Sequence, residues 1–142
     1  MTVNNFHNKC DNQRETISLI KSDKGYIFGG YTPFPWSSDK SYDSSPSSFL
    51  FTLTNIHGTQ PTKFESKNDN KEVYHQPSNG PRFGEGCDLG IYNDFINDGG
   101  WSYFPYTYQD NLGKGKSIFT GDLNNSNTNF KLREIEIFKL SK

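Results

Sequence analysis

A chain of 142 residues with a formal net charge of −1 reads as one domain, large enough to hide roughly 65–70% of the surface its unfolded form exposes. Lys and Arg are spread along the whole length instead of forming a phosphate-neutralising stripe, which argues against nucleic acid as a partner. With no apolar leader and no run of 18 apolar residues, the protein is expected to be soluble, cytoplasmic and not inserted in a membrane. Its bulk comes from 12 Phe, 8 Tyr and 2 Trp, because aliphatic residues are few and alanine is absent. That composition disfavours long helices and suits pleated, half-buried strands, while 13 Gly and 7 Pro cut the chain into short elements. The expected class is mainly β.

In chain order, residues 5–12 read as a short helical turn and residues 16–21 as a strand, followed by a hairpin turn at residues 22–25. Residues 26–31 resume strand character, with Gly29 and Gly30 marking a bulge or a close backbone approach. Pro33 and Pro35 end that strand and residues 37–48 form a polar loop. Phe49, Phe51 and Leu53 then point one way along the next strand. Residues 62–65 and 72–75 read as an exposed hairpin, and residues 89–92 as a strand. Residues 93–100 and 110–116 read as loops, with short strands at 103–108 and 117–120. From Phe130 and Leu132 the apolar alternation changes phase to Ile135 and Ile137, which predicts a bulge near Arg133 and Glu134.

Several residues carry chemistry worth weighing. Cys10 and Cys87 lack a secretion context and are expected to be free thiols. With His7, Asp11 and Asp88 they are the redox candidates, because a peroxide-reducing thiol must become a thiolate beside a cation or helix end. The competing reading makes Cys10 a small buried hydrophobe and His7 a capping or packing residue. No Cys or His pair at ligand spacing supports zinc at Cys10, Cys87, His7, His57 or His75, and no metal or other cofactor is expected. Gly84 with Gly86, and Gly113 with Gly115, fall short of a phosphate-loop motif. Trp36, Trp101, Tyr103 and Tyr106 offer rings to a sugar, although so aromatic a composition needs most of its rings for packing.

Six blocks in order resemble the TLDc domain. Phe6, His7, Cys10 and Asp11 are similar to its Phe-His-x-x-Cys-Asp segment, followed by the strand at residues 16–21. Phe28, Gly29, Gly30 and Tyr31 with Trp36 are similar to its Phe-Gly-Gly-Tyr and Trp block. Then come the Ser48–Phe51 block, the turn of Gly80, Pro81, Arg82, Phe83 and Gly84, and a terminal acidic-aliphatic strand at residues 134–138. The resemblance spans residues 1–142 as a single domain without the family's usual first helix and strand. Glu85, Gly86 and Cys87 stand where many members carry Gly and His before the Asp-Leu pair. It implies a two-sheet antiparallel β-sandwich with one or two short flanking helices, and a non-enzymatic role in oxidative-stress resistance through binding the vacuolar-type proton ATPase at an organelle membrane. Glu134 and Glu136, projecting outward from the terminal strand, and Asp88 are the expected partner-binding residues. Gly29, Gly30, Trp36, Gly80, Phe83 and Gly84 are expected to be structural.

Overall fold

The computed structural model describes residues 2–140. In chain order the elements are α1 (Val3–Cys10), β1 (Thr16–Ser22), β2 (Ile27–Thr32), β3 (Tyr42–Asp43), β4 (Phe49–Thr54), β5 (Thr62–Glu65), β6 (Val73–Tyr74), β7 (Arg82–Phe83), β8 (Leu89–Ile91), α2 (Phe95–Asp98), β9 (Gly100–Trp101), α3 (Ser117–Thr120), β10 (Asn129–Phe130) and β11 (Leu132–Lys139). They form a five-stranded sheet, β11-β1-β2-β4-β5, and a six-stranded sheet, β10-β9-β8-β7-β6-β3. Every strand pairing in both is antiparallel. This is the two-sheet sandwich that the family resemblance implied.

Helix α1 begins two residues before the expected turn, because Thr2 caps it. The Thr2 hydroxyl accepts from the Asn5 amide and the Asn5 side chain accepts from the Thr2 amide, a reciprocal capping box. Val3, Phe6 and Cys10 fall on one side and are buried. Phe6 meets the edge of Trp36 at 5.4 Å and lies 6.4 Å from Phe95, which fixes the helix to the core.

The five-stranded sheet turns its polar rows inward. Along β1 the buried residues are Thr16, Ser18, Ile20 and Ser22, while Ile17 and Leu19 face out and are only half-buried. On β4 the inward residues are Leu50 and Thr52, so Phe49, Phe51 and Leu53 do share a face, but it is the outer one. The reason is volume. Large rings from the opposite layer, its loops and α3 fill the interior, and they need small residues across from them. Phe83 lies so close to Gly30 that a Cβ there would meet its ring at 2.6 Å. Phe119 on α3 packs at 5.2 Å from Phe28 and 5.1 Å from Phe104. The inward Thr16 hydroxyl is satisfied by the Trp36 indole, which donates to it at 3.0 Å. Each fully buried ring contributes about 1.5–3 kcal/mol.

The expected bulge in the last strand is present. Lys21 pairs with Glu134 but Ser22 with Leu132, so Arg133 is the extra residue opposite β1. Several other expectations are corrected. Of the bulge or close backbone approach expected at Gly29 and Gly30, the bulge is absent, since the β1–β2 pairing runs through both and the irregularity of β2 lies between Ile27 and Phe28, but the close approach holds, Gly29 lying against the Ser18 carbonyl. The expected hairpin of residues 62–65 and 72–75 does not form: β5 belongs to the five-stranded sheet and β6 to the other. Phe64 and Val73 are both fully buried, one in each layer, and the segment between them crosses from sheet to sheet. Residues 117–120 form α3, stopped by the left-handed Gly121, instead of a strand. Residues 103–108 are mostly irregular and include a cis Phe104–Pro105 peptide bond. The loops expected at 37–48 and 93–100 contain β3, α2 and the start of β9.

Candidate functional site

Of the residues expected to face a partner, Glu134 and Glu136 lie at the surface. Both project from the outer face of β11 and are exposed. Among the described residues neither makes an ion pair. Of the nearby cations, Lys21 of β1 stands directly opposite Glu134 in the strand register, whereas Arg133 and Arg82 are engaged elsewhere. The Arg133 guanidinium donates to the Asp23 carbonyl at 2.9 Å. Arg82 is on the other sheet, 4.6 Å from the centre of the Tyr74 ring.

Asp88 is wholly buried and presents nothing to a partner, so its expected binding role is corrected. Its carboxylate accepts from three successive amides, Tyr106 at 2.7 Å, Thr107 at 3.0 Å and Tyr108 at 3.0 Å. It ties residues 106–108 to the turn that precedes β8. Burial raises its pKa, and the bonds from the amides of Thr107, Tyr106 and Tyr108 oppose that rise. Gly84, at φ +90°, leaves the space that the Asp88 carboxylate occupies. Of the other structural candidates, Trp36 and Phe83 are core residues, and a Cβ on Gly80 would meet the Phe95 ring at 2.6 Å.

The thiols are free and buried, and neither sits where a thiolate is favoured. Burial pushes the Cys10 thiol up to about 11, with Asp11 adding to the rise. The Cys87 thiol is raised further by burial, which the nearby Arg82 only partly offsets. His7 does not pair with Cys10. It bonds to Asp11 at 2.8 Å through Nδ1, and its Nε2 faces the carbonyls of Gln76 and Asn79 at 3.1 and 2.9 Å. The Phe-His-x-x-Cys-Asp segment therefore works as a clamp that fastens α1 to the turn before β7. His75 bonds to Asp43 at 2.6 Å and accepts from the Ser37 amide, and His57 bonds to Ser117. Among the described residues no three His, Cys, Asp or Glu side chains converge as a metal site would require.

The rings once considered for a sugar divide. Trp36 is core. Trp101 is half-buried, stacked on Tyr92 at 4.4 Å with the Arg82 guanidinium 5.6 Å from its ring centre. Tyr103 and Tyr106 are exposed but lie in irregular chain.

Sequence reasoning missed the outer face of the five-stranded sheet. Ile17, Leu19, Phe49, Phe51, Leu53 and Phe138 line a hollow of about 540 Å³ there, with Pro61, Thr62 and Lys63 at one side. Leu53 and Phe138 are 42% and 48% exposed. The Lys63 ammonium sits 4.3 Å from the centre of the Phe49 ring. The signal was available in the alternation: in residues 16–22 and 49–54 one phase is apolar and the other rich in Ser and Thr. Alternation alone does not say which of the two phases faces the core.

The architecture defines a class, an antiparallel β-sandwich whose thiols are structural and whose uncommitted surface is an apolar sheet face bordered by acids. Its sequence matches the TLDc domain over residues 1–141, and the chain belongs to the TLDc domain family. Among curated proteins none matches it.

Proposed function

We propose that the chain is a protein-binding module of oxidative-stress resistance that binds and regulates the vacuolar-type proton ATPase from the cytoplasmic side of an organelle membrane. Membership of the TLDc family over nearly the whole chain supports the stress-resistance role. The observation that carries the binding reading is the pair of exposed acids, Glu134 and Glu136, which make no ion pair among the described residues and stand beside an exposed apolar face. Unpaired surface acids cost little to hold in water and gain a charge-assisted bond when a cationic partner arrives. No helix among the described residues is long and apolar enough to cross a membrane, so contact through a protein partner suffices for such a location. Thiol-dependent peroxide scavenging is disfavoured, since burial raises both cysteines away from the thiolate form.

The test is retention of vacuolar ATPase subunits from a cell lysate. Wild type and the Cys10→Ser, Cys87→Ser double variant should both retain them, and the folded Glu134→Ala, Glu136→Ala variant should not. No retention by the wild type, together with peroxide consumption that vanishes in the cysteine variant, would replace this reading with thiol chemistry.

A further inference from the structure

We infer that the outer face of the five-stranded sheet is the interface of a symmetric dimer, in which a second copy of this chain lays the same face against it with the two-fold axis along β2. The inference goes beyond the proposed function and does not depend on the ATPase as a partner. Strand register orders the face into rows that cross it from β11 to β5. The middle row is Glu136, Leu19, Gly29, Phe51 and Lys63. On one side of it run Phe138, Ile17, Tyr31, Phe49 and Glu65. On the other side stand Glu134, Lys21 and Ile27, with Leu53 as the extra residue of β4 beside Ile27. The relief is low, because the Phe51 ring covers Gly29 and Tyr31 stacks on Phe49 at 5.1 Å. A broad apolar sheet face without a deep furrow packs best against another such face, in the aligned mode with about 10 Å between layers.

Charge selects a second copy and its orientation. The middle row ends in opposite signs, Glu136 on β11 and Lys63 on β5, and these are the two outermost strands with β2 at the centre. Lys63 is held at its border by the Phe49 ring, 4.3 Å away. Rotation about an axis along β2 lays β11 over β5 of the other copy and β1 over its β4. Glu136 of each copy then meets Lys63 of the other, Leu19 meets Phe51, Ile17 meets Phe49, and Tyr31 meets its own counterpart at the axis. The rotation of about 30° between aligned sheets displaces the outermost strands by about 5 Å, which a lysine and a glutamate together span. An axis across the strands would instead set Glu136 on Glu136 and Lys63 on Lys63, so charge permits one of the two arrangements. Of the other charges on the face, Lys21 and Glu134 stand opposite each other on adjacent strands, and Glu65 falls at the rim. Five strands and three rows give a footprint of roughly 24 by 20 Å per copy, at the weak end of specific interfaces. Reversible association in the micromolar range is therefore expected. The second copy and a cationic partner would both use Glu136, so the two complexes exclude one another.

Sedimentation of the purified chain from roughly 1 µM to 1 mM tests this, and the wild type should pass from monomer to dimer over that range. Glu136→Lys and Lys63→Glu, each alone, set like charges face to face and should weaken the dimer by about tenfold or more. Mixed in equal amounts, the two variants restore opposite charges at both contacts and should form a heterodimer within about threefold of the wild-type affinity. Thermal melts check that both variants fold. Should either fail to fold, nuclear Overhauser effects between Leu19 and Phe51 of differently labelled wild-type copies decide the matter. A wild type that stays monomeric at 1 mM, single variants that dimerise like the wild type, folded variants whose mixture does not associate, or wild-type copies without that Leu19 to Phe51 contact would overturn the inference. Only this chain is in the cell, so a dimer without ATPase retention from lysate sinks the proposed partner alone, and retention without a dimer sinks this inference alone.

Discussion

Replacing Asp88 with Ala would show how much of this sandwich hangs on one buried carboxylate. The substitution strands three amides, those of Thr107 and Tyr108 in buried surroundings and that of Tyr106 partly buried. An unsatisfied buried donor costs about 1–3 kcal/mol. Removing a charge that burial disfavours returns part of this, so the net loss should be about 3–4 kcal/mol. For a domain of this length the unfolding entropy near Tm is about 0.3 kcal/mol per kelvin, which converts the loss to a fall of about 10–13 °C. The damage should be local before it is global, because the same segment carries Phe104 and Tyr108 into the core and the Tyr108 hydroxyl donates to the Glu72 carbonyl at 2.7 Å. Urea denaturation gives the free energy, and amide hydrogen exchange at residues 106–108 gives the location. Asp88→Asn, which keeps one acceptor oxygen, should lose about 2 kcal/mol. A stability for Asp88→Ala within 1 kcal/mol of wild type, or unchanged exchange at those amides, would refute the argument.

Gly29→Val should lower Tm by more than 10 °C, since its Cβ would overlap the backbone Ser18 carbonyl oxygen, which no rotamer change can relieve. The nearest atoms that Gly30→Ala would meet belong to the Phe83 ring, which can shift, so a smaller loss of about 1–3 kcal/mol is expected in the same thermal melts. Asp122 is held down at about 2 by the Ser126 hydroxyl and then by the amides of Asn127 and Asn124. A depressed carboxyl stabilises above its unfolded value of about 3.9 and loses that contribution as pH falls through its folded value. Asp122→Asn should therefore show a shallower fall of Tm between pH 4 and pH 2, and identical profiles would contradict the bond set. In native buffer neither Cys10 nor Cys87 should react quickly with a disulfide reagent at pH 7, whereas both should react at once in denaturant. Fast modification of the native protein would return the thiols to consideration.

Legibility in the sequence followed the range of the interaction. The strands of the first sheet, the Arg133 bulge and the Ser22–Gly25 turn rest on neighbouring residues, and alternation and turn chemistry reveal them. Gly29 and Gly30 could be seen as close approaches, but not what approaches them. Glu134 and Glu136 were readable as outward because Ile135 and Ile137 alternate with them. Asp88 could not be placed from its neighbours, because the three amides that hold it come from residues 106–108, far along the chain.

By itself the sequence determined the class: aromatic bulk without alanine, frequent Gly and Pro, and short alternating runs allow little besides a mainly β domain. It also determined family, through the order of its blocks. Only the tertiary structure decided which phase of each strand faces the core. Period-two alternation is the same viewed from either side, and the choice was made by Phe83, Phe119 and Trp36, which occupy the interior and leave room there for Ser18, Gly30 and Thr16. Ile17, Leu19, Phe51 and Leu53 were thereby turned to the surface, where they form the face that a partner can cover.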